Sequence, residues 1–240
     1  MGRIFAALYS TVAYVLFLGT FVYAIGFVEN IMVHKTIDSG AAGGAPGAIL
    51  VDLALLGVFA LQHSVMARKG FKKMWTRIVP EAVERSTYVL FSSLALALLL
   101  WQWRPLPQLV WSTDGALAVA ITALSWAGWA MVLASTFLIS HFHLFGVTQG
   151  FARLLQRHMP EQEFTTPLFY RWVRHPLYAG FIIAFWAAPQ MSVGHLLFAV
   201  ATTGYILLGI WLEERDLVAH FGQRYLQYRE AVGMLIPRLR

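Results

Sequence analysis

The residues best suited to chemistry lie in the last third of the chain. Arg174 and His175 stand directly before Pro176 in the run YRWVRHPLYAG (170–180), which also holds Arg171, Tyr178 and Gly180. A second polar run, EERDLVAHFGQRYLQYREAV (213–232), opens with the adjacent carboxylates Glu213 and Glu214. Proline suits the first turn of a helix, where its missing N–H would be unpaired anyway. The free N–H groups and positive dipole end at that position favour a carboxylate or other anion. Gly180 would let a ligand approach the backbone closely. A carboxylate pair binds an amine, ribose hydroxyls or a neighbouring arginine. Both signs of charge beside an apolar hairpin suit a zwitterionic, partly apolar cofactor.

The histidines supply proton chemistry. Neutral imidazole is the natural acceptor near pH 7. His63, near the cytoplasmic end of the second apolar run and the deepest histidine on the cytoplasmic half, is the first candidate for a catalytic base. His141, His143 and Gln149 are candidates for the substrate side. Asp52 precedes His63 by eleven residues, about three helical turns, so the two share a helix face about 16 Å apart. Asp52 is therefore either a relay or polarising group along the same channel, or a structural carboxylate bonded to a neighbouring helix. Cysteine is absent, so there is no disulfide framework, thiolate metal site or cysteine nucleophile, and no metal is expected. A haem reading would take two axial ligands from His63, His141, His143 and His175, but it leaves the Glu-Glu and Arg-His-Pro segments without a role.

These groups need apolar elements to position them. The 240 residues are 58% hydrophobic and only 12% charged, against about 25% charged in soluble domains. So few charges cannot cover a water-exposed surface, and apolar runs near 20 residues indicate helices rather than a barrel. The expected fold is an all-α polytopic membrane bundle with spans at Ala7–Val28, Ala48–Ala67, Tyr88–Trp103, Ala116–Ile139, Leu177–Met191 and His195–Leu212. The N-terminal run is the first span, not a removed signal peptide. A break at Pro189 and Gly194 would make the last hairpin re-entrant and leave five spans. The net charge of +6 then reports lysine and arginine on the cytoplasmic side, not a nucleic-acid partner. In the six-span arrangement only Lys35 and Arg104 fall outside, and sixteen of the eighteen cations share the other side with both termini. Residues 38–47 form a flexible external loop, and Trp101, Trp103 and Trp111 an interfacial aromatic belt. The apolar spacing of Leu217, Phe221, Tyr225, Tyr228 and Val232 predicts a C-terminal amphipathic helix on the cytoplasmic surface.

The pairing of RHPLYAG with EERDLVAHFGQRYLQYR resembles the integral-membrane methyltransferases of the isoprenylcysteine carboxyl methyltransferase superfamily. Three further runs, LQHSVMARKGFKKMW (61–75), ERSTYVLFSSLALALLLWQWRPLP (84–107) and HFHLFGVTQ (141–149), are similar to the methanethiol S-methyltransferase family within it. The resemblance covers most of the chain. It implies one membrane methyltransferase domain over 1–240, with S-adenosylmethionine held by the hairpin and tail at 170–232. It implies Arg171, Arg174, His175, Pro176, Tyr178, Gly180, Glu213 and Glu214 as cofactor-side residues and a small thiol as substrate, met among membrane lipids. Prenylcysteine methyltransferases carry Gly-Pro-Tyr before the Arg-His-Pro motif. Here the chain reads Leu168-Phe169-Tyr170 after Pro167, which weakens a carboxyl or lipid substrate and leaves the small-thiol reading intact.

Overall fold

The computed structural model describes residues 2–40, 44–159 and 164–238. Gly43 of the expected external loop and Arg240 of the basic tail lie outside the described residues. Long apolar runs become helices because lipid offers no hydrogen bonds to a bare backbone. Helix α1 is Arg3–Val28, α2 Ala45–Ala67, α3 Lys69–Trp75, α4 Glu81–Gln102, α5 Gly115–Ile139, α6 His141–Leu144, α7 Val147–Leu155, α8 Pro176–Trp186, α9 Val193–Phe221 and α10 Gln223–Ala231. Two short strands, β1 (Leu109–Ser112) and β2 (Gln190–Ser192), complete the set. The protein is an all-α multi-pass membrane bundle: α1, α2, α4, α5 and α9 are long and apolar enough to span.

The fifth expected span, Leu177–Met191, is not one helix. Its helix α8 has 11 residues, about 16 Å of rise, roughly half of a hydrocarbon core of about 30 Å. It stops at Trp186, before Pro189, and the chain continues extended into β2. That extended segment is not left bare. β2 pairs antiparallel with β1, matching Trp111 to Met191 and Ser112 to Gln190. Thr113 N also donates to Pro189 O, and Val193 N to Gln108 O. The third expected span, Tyr88–Trp103, begins earlier, because Glu81, Glu84 and Arg85 occupy the first turns of α4. The expected single C-terminal helix is the end of α9 followed by α10. Gly222 sits between them at φ +57, a left-handed conformation that favours glycine and ends α9.

The chain divides into two compact units. The first holds α1 to α4, α6 and α7. Ser86 Oγ lies 2.8 Å from Ser10 Oγ and 3.1 Å from Gly146 O, tying α4 to α1 and to the turn before α7. At Gly150 an added Cβ would meet Ser10 Oγ at 2.3 Å, so only glycine lets α7 lie this close to α1. Trp103 is a core residue, not part of an interfacial belt. It is fully buried, donates from Nε1 to Ile37 O at 3.1 Å and stands edge-on to Phe27. Trp101, by contrast, is exposed.

The second unit holds β1, α5, α8, β2, α9 and α10. Helices α5 and α8 touch backbone to backbone. A Cβ on Gly128 would lie 2.7 Å from Gly180 O, and one on Gly180 would lie 2.7 Å from Gly128 O. Small residues allow this contact in membranes, where dispersion rather than water exclusion drives association. Ser125 Oγ donates to Ala184 O, and Trp129 stands edge-on to Phe181 and Phe185. The close approach at Gly180 is made by helix α5.

Candidate functional site

In the second unit the two polar runs meet. The start of α8 and the last turns of α9 bring Arg174, His175 and Tyr178 onto Glu213 and Glu214. Arg174 Nε donates to Glu214 Oε1 at 2.8 Å, and His175 Nε2 lies 3.1 Å from the same oxygen. Tyr178 Oη donates to Glu213 Oε2 at 2.9 Å. His175 Nδ1 stands 4.0 Å from Glu213, so the imidazole lies between the two carboxylates. The adjacent acids have different surroundings. The Glu214 side chain is 13% exposed and satisfied by Arg174 and His175, whereas that of Glu213 is 43% exposed. Glu213 retains acceptor capacity and access for a ligand. Glu214 belongs to the frame.

Arg174 also holds the tail. Its Nη1 donates to Arg229 O at 3.0 Å and to Val232 O. The main chain adds Arg174 N to Gly233 O at 2.8 Å and His175 N to Met234 O at 3.1 Å. The segment before α8 is thereby laced to the segment after α10. Arg174 is almost fully buried, as is His175, and Pro176 opens α8 in the helical position that proline tolerates. Arg171 is not gathered into this cluster. It is exposed in the 3₁₀ turn Leu168–Arg171 and lines a hollow with Trp172, Ala231, Pro237 and Arg238.

Sequence reasoning placed Tyr225 only on an amphipathic stripe. The structure buries it to 2% exposure, against Phe164 and Tyr228. Its hydroxyl has no hydrogen-bond partner among the described residues. Burial, then the charge of Glu214, holds the phenol above its ordinary range, so it remains a donor. An orphaned buried donor costs about 1–3 kcal/mol unless something accepts from it. An unpaired donor at Tyr225 and an accessible acceptor at Glu213 suit a ligand that carries acceptor groups as well as a cationic or hydroxyl donor. A zwitterionic methyl donor fits that description. A buried tyrosine at helical spacing carries no sequence signal that distinguishes it from core.

The remaining candidates belong to the first unit. His63 Nε2 lies 2.8 Å from Tyr88 Oη and His63 Nδ1 3.2 Å from Ser92 Oγ, both on α4. His141 is buried, with Nε2 2.9 Å from Tyr14 Oη and its ring against Phe145. Burial lowers the pKa of His141 and of His143, and the positive charge of Arg85 lowers that of His143 further. Gln149 Nε2 donates to His143 O at 3.0 Å, while its Oε1 is buried without a partner among the described residues. Asp52 is fully buried and spends Oδ1 on Arg104 N at 2.8 Å. Arg104 follows the end of α4, so this bond holds the chain leaving α4, while Asp52 Oδ2 is buried without a partner among the described residues. Asp52 and His63 do share the α4-facing side of α2.

No family model matches the chain, and no solved structure matches it. Curated relatives do. The chain is 53% identical over 240 residues to methanethiol S-methyltransferase 1 of Bradyrhizobium diazoefficiens, covering 98% of this chain and 84% of the relative. It is 52% identical over 238 residues to the methanethiol S-methyltransferase of Mycobacterium tuberculosis, covering 99% of this chain and 98% of the relative. The Crocosphaera subtropica methanethiol S-methyltransferase is 50% identical over 238 residues, covering 99% of this chain and 93% of the relative. Identity at this level, sustained through both units, means that the chain belongs to the methanethiol S-methyltransferase family.

Proposed function

We propose that this protein transfers a methyl group to methanethiol within the membrane, forming dimethyl sulfide, with S-adenosylmethionine as the donor. When bound, that donor supplies a methyl group already activated on a sulfonium, so the protein has only to bind, orient and manage one proton. The observation that carries the reading is the Glu213–Tyr178–His175–Glu214–Arg174 cluster with the unpaired Tyr225 hydroxyl beside it. Glu213 and Tyr225 face the donor, His175 and Tyr178 set the Glu213 carboxylate, and Arg174 with Glu214 forms the frame. His63 receives the thiol proton. Methanethiol is small and apolar and enters from the bilayer. In this reading the donor site does not include Arg171 or Gly180.

Titration of S-adenosylhomocysteine into the detergent-solubilised protein tests the assignment. Losing one charge-assisted bond costs about 1.5–3 kcal/mol, so Glu213→Ala weakens binding roughly tenfold or more. The fold survives, because Glu213 is not part of the frame. Unchanged affinity in Glu213→Ala removes this carboxylate from the donor site.

Both termini face the cytoplasm of a bacterial inner membrane in this reading. The support is the one-sided distribution of cations, including Arg68, Lys69, Lys72, Lys73 and Arg77 between α2 and α4. A cysteine placed at Lys72 should resist membrane-impermeant label added from outside. External labelling there would invert the orientation.

A further inference from the structure

His63 is gripped from both edges by one face of α4. Tyr88 and Ser92 lie four residues apart, one on each ring nitrogen. Phe59, one turn earlier on α2, stacks on the imidazole with centroids 5.4 Å apart. A thiol proton bound for His63 therefore meets a hydroxyl first. The hydroxyls differ in kind. A phenol is a stronger acid than an aliphatic hydroxyl, and so the better donor to a neutral imidazole. Tyr88 then donates to Nε2, and Nδ1–H donates to Ser92. The basic lone pair of His63 points at the Tyr88 oxygen. Arg85, three residues before Tyr88, holds its guanidinium 4.9 Å from the Tyr88 ring centroid, anchored by Nε to Leu144 O at 2.7 Å. A fixed cation there favours negative charge developing on the phenol oxygen.

We propose that Tyr88 is a catalytic residue of thiol methylation: its phenol oxygen takes the thiol proton while its own proton passes to His63 Nε2. The proposal rests on the reading that His63 is the base. In the step, the S–H bond breaks and its electron pair stays on sulfur as the thiolate. A new O–H bond forms at Tyr88 Oη as the old one breaks, and an N–H bond forms at Nε2. One proton has moved from thiol to imidazole, the phenol ends neutral, and the imidazolium later releases its proton to water. Ser92 is a positioning residue that keeps the other proton on Nδ1. Arg85 on α4 is the charged group that acts on His63; it also acts on Lys72 of α3 and on His143 of α6, and Glu84 and Arg68 act on Lys72.

Dimethyl sulfide formation by the whole protein in detergent, measured across pH for Tyr88→Phe, His63→Ala and the double variant, tests the relay. Residues that act as a unit are non-additive, so Tyr88→Phe lowers kcat at pH 7 by about the same factor as His63→Ala, at least ~10-fold, and the double variant is little worse than either. The donor KM stays within about twofold, since neither residue belongs to the Arg174–Glu214 cluster assigned to donor binding. The deficit shrinks as rising pH forms thiolate without help. A Tyr88→Phe variant at wild-type kcat beside a crippled His63→Ala overturns the relay and leaves the base standing. A Tyr88→Phe deficit that is the same at every pH also overturns it and marks a packing role. Wild-type kcat in both single variants overturns the base reading itself.

Discussion

Arg174→Ala is expected to lose both donor binding and much of the second unit's stability. Its guanidinium satisfies Glu214 and two tail carbonyls at once, with the side chain only 7% exposed. Removing one partner of a buried ion pair leaves an uncompensated charge and costs about 3–5 kcal/mol, or roughly 10²–10⁴ in an equilibrium constant. Glu214 would lose its principal anchor, and His175 would be left beside an unpaired carboxylate. Thermal unfolding in detergent and titration with S-adenosylhomocysteine should fall together. Arg174→Lys keeps the charge but cannot fork between a carboxylate and two carbonyls, so it should fall between wild type and alanine. Unchanged unfolding and affinity in Arg174→Ala would show that the lacing between residues 174 and 229–234 bears no stability.

His63→Ala is expected to give a large and purely kinetic loss. General-base catalysis contributes about 10²–10⁴-fold, and His63 lies on α2, outside the Arg174–Glu214 cluster of the second unit. Turnover with methanethiol at pH 7 should fall by that order or somewhat less, while S-adenosylhomocysteine affinity holds. The pH dependence has a definite sign. A cysteine thiol ionises near pH 8.5, and an alkanethiol is weaker still, so thiolate is scarce at neutral pH. Raising the pH supplies thiolate without a base and should narrow the gap to wild type. A carboxylate substrate, already ionised at pH 7, would need no base and show no such recovery. Wild-type turnover of His63→Ala at pH 7 would make His63 a packing residue, leaving thiolate capture by the donor's positive charge as the simpler mechanism.

Much of this molecule was legible in composition and local spacing. Sparse charge and long apolar runs force spanning helices, because unpaired backbone is intolerable in lipid. The four expected spans outside the last hairpin correspond to α1, α2, α4 and α5. Adjacent carboxylates and the Arg-His-Pro turn were recognisable as site material by residue type alone. Their pairing across about forty residues was anticipated in outline, since a hairpin brings its two ends together.

What only the tertiary structure decided is which partner each of those residues spends itself on. No local pattern separates Glu213 from Glu214, yet Arg174 and His175 converge on Glu214 and leave Glu213 accessible. Gly180 reads from sequence as room for a ligand, and a second glycine, Gly128, fills that room with a helix. The Leu177–Met191 run reads as a span, but β1, from a distant loop, supplies hydrogen bonds that let its second half stay extended. Tyr88 reads as the start of a span, and its phenol proves to face His63 from α4. Sequence determines what a residue can donate, accept or bury. Which donor meets which acceptor depends on long-range packing, where groups far apart in the chain compete for the same few buried contacts.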